Sequence, residues 1–473
     1  MDNKYTLIPK RQVSVECNFV KGEFEGWRHT IGHGGINKYP LPPRVEKGLG
    51  LLKPRLVRTF IQEYFNIYPE HNTYDWSVLD PYMESLATTG GKVVASICIK
   101  PKVLYPEIDE NIVMPNNIDE WQQIIETLVR RYSVEKEIVT YWEIGNEYDI
   151  GEIGGCPYKC AEPEQYNQYY LITQQAVLRA FPEAKVGGPA VAYSRSSLTE
   201  GLVKFCKESD LQLDFISWHK YSSDPDVHSR DVVWAREMLG KYYGDNIPEM
   251  MVTEMSCGFE KVFCEEMAYE SMRPATIATS VFDMMDEKLD WSFYYHIWDQ
   301  VFIAEQFEDF YKDPDIMQIH WNEIPHRFGL FGVCGEVRPT YFFYKMLLMM
   351  EGNELDTKSD NSSLRIKSAV DSKGTYRAML VNYDIDKEED VIAEIDFNGI
   401  NDGLKLLSIY RIDYNMNWNE DSLELEAVER RYIDVKAKYS KRPFYTQSFC
   451  PRNSVTMIVI EETTEKEMVS KFE

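Results

Sequence analysis

Short apolar runs alternate with segments of helical periodicity from about residue 50 to residue 350. The apolar runs predict strands at 56–61, 92–99, 140–147, 185–191, 215–221, 249–256 and 291–297. Apolar residues recur every three or four positions over 118–132 and 164–181, which predicts helices there, and a last helix is predicted over 338–350. This alternation is typical of parallel strands joined by helices.

A further apolar run at 13–19 raises the number of strand–helix units to eight. Eight units between residues 13 and 352 predict an α/β fold, the (β/α)8 or TIM barrel, with long loops. A doubly wound open sheet is the alternative, but no GxGxxG motif follows the first predicted strand.

The pattern changes after about residue 353, where β-rich segments follow one another without a helical stretch. This predicts an accessory C-terminal β-sandwich domain over 353–462. Residues 1–12 are expected to add a strand to it, because the start of the chain has no other obvious packing partner. Residues 463–473 are predicted to be a solvated tail.

The charge of the chain restricts its partners. Among 473 residues, 51 Lys and Arg stand against 77 Asp and Glu, a net charge of −26. Nucleic acid and an anionic membrane surface are therefore not expected as partners, and no apolar run approaches the roughly 18 residues of a membrane span. The first residues lack the apolar core of a signal peptide. We expect a cytoplasmic protein, or a secreted or periplasmic one if the sequence begins after a removed signal, and a homo-oligomer is compatible with the sequence.

The nine cysteines are an odd number. Most lie in apolar stretches, which indicates buried thiols. Cys156 and Cys160, in GGCPYKC, are compatible with a loop disulfide or a metal site. No second Cys/His pair lies nearby, and we predict no metal.

Polar residues end several of the predicted strands, where a barrel carries its active site. Asn146 and Glu147 end one strand, and Glu254 ends another. Two converging carboxyl groups suit the cleavage of a glycosidic bond, because one protonates the leaving oxygen while the other acts on the opposite face of the sugar. In a retaining enzyme the second carboxylate forms a covalent glycosyl ester, which water then hydrolyses. No organic cofactor is required.

Other residues suit supporting roles. Asn146 is placed to bind the sugar 2-OH, and Arg58 to keep Glu254 ionised. The remaining candidates for substrate binding are His219 and Tyr221, which would orient a carboxylate or the sugar, Trp298, which would form the floor of the sugar site, and His33, in a loop after the first strand.

Several segments resemble glycoside hydrolase family 39, which contains β-xylosidases and α-L-iduronidases. They are YWEIGNE (141–147), LDFISWHKY (213–221), MVTEMS (251–256), the run from 166 to 190, RTFIQEYF with YDWSVLD (58–80), and the WD and GLFGV…RPTYFFYKML segments (298–347). The resemblance implies a retaining (β/α)8 glycosidase with a β-sandwich, Glu147 as acid/base, Glu254 as nucleophile and Asn146 as ligand of the 2-OH.

The chain departs from the family pattern beside this pair. Gly145 and Tyr148 replace a Trp and a Pro, and an insert occupies 149–164. The substrate is therefore less defined than the mechanism. We expect an exo-acting, β-xylosidase-like hydrolase of an oligosaccharide or glycoside. β-Glucosidase, β-galactosidase, α-L-arabinosidase and iduronidase activities stay open, as do an endo-glycanase of the same clan and a non-catalytic carbohydrate-binding barrel.

Overall fold

Eight parallel strands close into a barrel at the centre of the protein. The computed structural model describes residues 7–36, 38–259, 270–312, 315–323, 326–415, 418–436 and 444–464. The first strand, β1 (Lys10–Glu23), lies outside the barrel. The barrel strands are β2 (His29–Gly32), β3 (Leu56–Gln62), β4 (Lys92–Cys98), β5 (Val139–Ile144), β6 (Lys185–Val191), β7 (Phe215–Tyr221), β8 (Glu249–Ser256) and β9 (Trp291–Tyr295). They pair in chain order, and β9 returns to β2, so the predicted TIM barrel is confirmed.

Helices follow the strands and cover the barrel. They are α1 (Pro43–Leu52), α2 (Leu79–Ala87), α3 (Ile118–Val129), α4 (Pro163–Ala180), α5 (Ser197–Glu208), α6 (Pro225–Tyr243), α7 (Met272–Asp286), α8 (Asp315–Gln318) and α9 (Pro339–Met349). Their starts follow ordinary capping chemistry. The Asn117 side chain accepts a hydrogen bond from the Glu120 amide at the start of α3, and Glu162 with Gln165 forms a capping box at the start of α4.

The prediction that 13–19 is the first barrel strand was wrong. This segment belongs to β1, which pairs antiparallel with β10 (Asn353–Ser359) and parallel with β13 (Val391–Asn398) in the second sheet. Val13, Val15 and Cys17 are buried on one side of β1 while the residues between them are partly exposed. That alternation is typical of a strand with one buried face, whereas barrel strands are buried on both.

The second sheet has nine strands. In addition to β1, β10 and β13 they are β11 (Leu364–Val370), β12 (Tyr376–Asn382), β14 (Gly403–Ile412), β15 (Ala427–Val435), β16 (Phe444–Cys450) and β17 (Ser454–Glu462). Their order is β15-β14-β17-β12-β11-β10-β1-β13-β16, mostly antiparallel. They enclose a separate apolar core. Of the segment 1–12, residues 10–12 belong to β1, and residues 1–6 and most of the predicted tail, 465–473, lie outside the described residues.

The second sheet packs on the barrel helices. Helix α7 contacts β11, β12 and β17, and α9 contacts β14. Arg365 of β11 binds both carboxylate oxygens of Asp283 on α7, at 2.8 and 3.0 Å. In the part of the chain that the structure describes, no helix combines the length and the apolar character needed to cross a bilayer.

Candidate active site

The carboxyl ends of the barrel strands bring the predicted polar residues together. Arg58 lies within β3, Asn146 and Glu147 follow β5, His219 and Tyr221 end β7, and Glu254 lies near the end of β8. They come from four strands but share one edge of the barrel, because all strands run parallel. Each is buried or half-buried. Their proximity follows from the topology.

Arg58 is the centre of the hydrogen-bond network. Its fully buried guanidinium donates to Glu254 Oε1 at 2.6 Å and to Asn146 Oδ1 at 2.8 Å. Burial lowers the pKa of Arg58, but Glu143 and Glu254 outweigh burial and hold that pKa above its ordinary value. The guanidinium therefore stays charged and fixes the orientation of both acceptors.

Glu143 is a site residue that sequence reasoning missed. Its Oε2 accepts from Arg58 Nε at 2.9 Å and from Nη2 at 2.7 Å, and its side chain is fully buried. The available signal was a carboxylate inside the apolar strand YWEI, since an unpaired charge is costly there. Glu143 occupies one edge of the guanidinium and so directs the other nitrogen, Nη1, to Glu254.

Glu254 has two strong hydrogen-bond donors. Besides Arg58, the Tyr221 hydroxyl donates to its Oε2 at 2.5 Å. Burial raises the pKa of Glu254, and Arg58 and Tyr221 oppose that rise. Burial and the neighbouring carboxylate raise the pKa of Tyr221 well above its ordinary value, so the phenol keeps its proton and remains a donor. These contacts stabilise Glu254 as a carboxylate.

Glu147 lies in a different environment. Burial raises its pKa well above the ordinary value, and the charges of Glu254 and Asp149 add to the rise. Its Oε1 is 2.8 Å from His219 Nδ1. Burial, with Arg58 nearby, lowers the pKa of His219 well below its ordinary value, so the imidazole is neutral and brings no cation to Glu147. Glu147 is thus the group of the pair that holds a proton.

A cavity of about 490 Å³ opens above this pair. Its lining includes Asn146, Glu147, Tyr221 and Glu254, together with Gly35, Ile36, Phe60, Gln62, Ile150, Ile153, Gly154, Gly155, Ala192, Tyr193, Lys220, Phe259, Tyr295, Met317, His320, Trp321 and His326. The volume is that of a small-molecule pocket. Aromatic rings supply much of the wall, and flat rings are suited to packing on sugar faces.

Four predicted binding residues do not line this cavity: Arg58 and His219, which contact the two glutamates, and also Trp298 and His33. Trp298 is half-buried, and its indole nitrogen donates to the Val333 carbonyl at 3.2 Å. Tyr295 and Trp321 line the cavity instead. His33 is fully buried behind the wall, with its ring stacked between Tyr82 and His296. The loop after β2 does reach the cavity, but through Gly35 and Ile36.

Glu147, His219 and Glu254 could supply three ligand atoms to a cation. One such atom from each residue lies within 4.8 Å of the other two. His219 Nδ1 lies 2.8 Å from Glu147 Oε1, and Glu254 accepts hydrogen bonds from Arg58 and Tyr221. In the structure, the three residues are therefore engaged in hydrogen bonds that suit acid–base chemistry.

Gly145 and Tyr148, which depart from the family pattern, pack closely against each other. Gly145 has φ of +95°, and a Cβ there would lie 3.0 Å from the Tyr148 ring. Tyr148 is fully buried and packs on Tyr158, Tyr166 and Tyr169. Cys156 and Cys160 in the insert are buried free thiols with no disulfide between them.

Several known proteins are similar to this chain in sequence. A sequence profile of glycosyl hydrolases family 39 matches residues 57–421. A β-xylosidase of Caldicellulosiruptor saccharolyticus is 23% identical over 378 residues, 73% of this chain and 71% of that protein. A β-xylosidase of Geobacillus stearothermophilus is 28% identical over 117 residues, a match that spans 22% of its length.

Solved structures share the fold at low identity. The monomeric β-xylosidase from Caulobacter crescentus CB15 superimposes with a TM-score of 0.75 at 17% identity, covering 96% of this chain and all of that one. A bacterial orthologue of human α-L-iduronidase superimposes with a TM-score of 0.74 at 13% identity, covering 97% of this chain and 85% of that one. The architecture is therefore common to both.

Proposed function

The chain belongs to glycosyl hydrolase family 39, a family of glycosidases, and on that premise we propose that it is a retaining, exo-acting, β-xylosidase-like hydrolase. Glu147 is the acid/base and Glu254 the nucleophile. The observation that carries this proposal is that two carboxyl groups lie close together at one rim of the barrel in different environments. Glu254 contacts the Arg58 cation, whereas Glu147 adjoins neutral His219.

The spacing of the pair supports retention of configuration. An oxygen of Glu147 and an oxygen of Glu254 lie within 4.8 Å. Retaining glycosidases hold their carboxyl groups about 5–5.5 Å apart, whereas inverting ones need about 6.5–9.5 Å to admit a water. The short separation supports direct attack by Glu254 on the anomeric carbon, without an intervening water.

In the first step Glu254 attacks the anomeric carbon as the bond to the leaving oxygen breaks. Glu147 transfers its proton to that oxygen, so the alcohol leaves neutral and Glu254 becomes a glycosyl ester. In the second step Glu147 takes a proton from water while the water oxygen attacks the anomeric carbon. The ester bond breaks, Glu254 is released as a carboxylate, and Glu147 is protonated again.

The electrostatics of the site change with this cycle. The charge on Glu254 is one of the groups that raise the pKa of Glu147 in the free protein. Forming the ester removes that charge, so the pKa of Glu147 falls once the intermediate has formed. Glu147 is thereby an acid in the first step and a base in the second.

Asn146 is assigned to the sugar 2-OH. Its Oδ1 accepts from Arg58 at 2.8 Å, which fixes the amide group, and the residue lines the cavity beside Glu147. A hydrogen bond to the 2-OH strengthens as positive charge develops on the sugar ring. The Arg58 contact therefore holds Asn146 in position before the substrate arrives.

The cavity favours a neutral sugar. Among its described lining residues, Lys220 is bound to Asp231 at 2.7 Å. Burial lowers the pKa of His320 and His326, to about 3 for His326, so both imidazoles are neutral at pH 7. A uronic acid would need a free cation for its carboxylate. This supports a xyloside-type substrate over an iduronide.

Two substitutions test the assignment of roles. Glu254→Gln is expected to abolish turnover of aryl β-D-xylosides while xylose binding, measured by calorimetry, persists. Glu147→Ala is expected to lower kcat/KM, which reports the first step, about 10²–10⁴-fold for substrates with poor leaving groups and far less for 2,4-dinitrophenyl xyloside, because that leaving group does not need a proton.

Glu249→Gln is the matched control, since Glu249 lies at the opposite end of β8 and pairs with Lys185 at 2.5 Å. It should retain wild-type rates. Undiminished hydrolysis by Glu254→Gln contradicts the nucleophile assignment, and a wild-type protein that binds the sugar without cleaving any aryl glycoside would be a non-catalytic barrel.

A further inference from the structure

An apolar wall stands beside Glu147 on the outer side of the cavity. Ile150, Ile153 and Tyr193 line the cavity there. The side chains of Ile153 and Tyr193 are 62% and 65% exposed. Single exposed apolar residues are common on proteins, but a group of them sharing one concave surface is typical of a binding site.

This wall lies where a leaving group must emerge. Gly154 is so close to Glu147 that a Cβ on it would lie 2.0 Å from Glu147 Oε2 and 2.8 Å from Ile150 Cδ1. In the proposed function Glu147 protonates the oxygen of the departing group, so this group occupies the space next to Glu147. The loop from Ile150 to Gly155 therefore faces the leaving group, and the wall is part of its subsite.

Hydrogen bonds hold the wall in place. The Asp149 carboxylate accepts from the amides of Ala192 at 2.9 Å and Tyr193 at 3.2 Å, which ties the insert to the loop after β6. The Tyr311 hydroxyl donates to the Gly155 carbonyl at 2.8 Å. A wall fixed before binding loses little conformational entropy when a ligand packs on it.

The same wall offers few groups to a sugar. Among its described residues, the Tyr193 hydroxyl is the polar side-chain group, and the neighbouring Lys220 is occupied by Asp231 at 2.7 Å. A sugar in this position would find one side-chain hydrogen-bond partner on the wall, so its hydroxyls would stay bound to water and add little affinity. An alkyl or aryl group would gain by leaving water.

We infer that Ile150, Ile153 and Tyr193 form a subsite for an apolar leaving group, so that the preferred substrates are alkyl or aryl glycosides and not xylo-oligosaccharides. This inference rests on the proposed function, because it takes Glu147 as the acid that faces the leaving group.

The test compares methyl and butyl β-D-xyloside, whose leaving alcohols have nearly the same acidity and differ in apolar surface. For the wild-type protein we expect kcat/KM to be at least about tenfold higher for the butyl compound, since each methylene in an apolar pocket has a large effect. Ile153→Asn should reduce this ratio several-fold, and Tyr193→Ser, on the other side of the wall, serves as a second variant.

Ile385→Asn is the matched control, because Ile385 is 54% exposed in the loop between β12 and β13 of the second sheet and does not line the cavity. It should leave the ratio unchanged. Hydrolysis of β-D-xylosyl fluoride, which has no organic leaving group, tests the proposed function separately. A wild-type protein that cleaves the fluoride but shows a ratio near one overturns the subsite alone. Failure to cleave the fluoride overturns the proposed function, and the subsite with it.

Discussion

The Arg58 guanidinium differentiates the two glutamates of the site. It contacts Glu254 directly at 2.6 Å and contacts Glu143 through two nitrogens. Glu147 receives no hydrogen bond from it and instead adjoins neutral His219. One buried cation is thus placed so that it stabilises negative charge on Glu254 more than on Glu147.

The charge of Glu143 limits how strongly Arg58 acts on Glu254. Glu143 raises the pKa of Glu254, so replacing it by the neutral Gln should lower that pKa. Activity requires ionised Glu254 and is lost as pH falls through its pKa. The acid limb of the kcat/KM profile of Glu143→Gln is therefore expected to move to lower pH, as measured with an aryl xyloside.

Glu249→Gln again supplies the comparison, because Glu249 is also a strand carboxylate paired with a cation, but at the far end of the barrel. Its profile should coincide with the wild type. An unchanged acid limb in Glu143→Gln, or an equal shift in Glu249→Gln, would show that Glu143 has no such electrostatic role.

The sequence predicts the site residues that end strands, but not the residues whose positions depend on tertiary contacts. Glu147 and Glu254 stand at the ends of apolar runs, and the parallel topology brings them together. For Glu143, the one indication in the sequence was a charged residue within a predicted strand, which does not specify its partner. Trp298 lies on the correct barrel segment, but the chain after β9 turns its ring toward Val333, and no periodicity encodes that turn.

At the scale of elements, the loop after β5 connects Glu147, the proposed acid, to the proposed leaving-group subsite. Gly154 in this loop packs against the Glu147 carboxyl group. Gly154→Ala would place a methyl where Glu147 Oε2 now lies, so the carboxyl group must move. We expect kcat/KM for butyl xyloside, which reports the first step, to fall about 10²-fold, with a smaller loss for 2,4-dinitrophenyl xyloside, whose leaving group needs no proton from Glu147.

Gly50→Ala provides the control for this substitution, since a Cβ at Gly50 in α1 meets no atom within 4 Å. Its kinetics should match the wild type. Equal losses for the two substrates in Gly154→Ala would indicate general disruption of the site and would argue against a specific displacement of Glu147.

The elements themselves were predicted to different degrees. The strands over 185–191, 215–221 and 249–256 were predicted with the observed bounds, because each contains a mainly apolar run that is buried in the barrel. Strand β2 was missed. It has only four residues, HTIG, and all four are buried by neighbouring elements. A segment this short, with two polar residues, does not show the apolar pattern of a buried strand.

At the scale of the whole molecule, the barrel is inserted between strands of the second sheet. The chain starts in β1, passes through the barrel and returns at β10, which pairs with β1. The sequence indicated both units, but the pairing of β1 across more than 300 residues is a tertiary property. The net charge of −26 is consistent with the proposed neutral substrate, as is the pairing of Lys220 with Asp231 and of Arg58 with Glu254.

The central claim is that Glu147 and Glu254 cleave the glycosidic bond in two displacements. Proton NMR of the wild-type protein acting on an aryl β-D-xyloside tests it most directly, because the sugar released first has not yet mutarotated. Two displacements predict that the β-anomer appears first and the α-anomer follows slowly in solution. An α-anomer formed first would show a single displacement by water and would contradict the account.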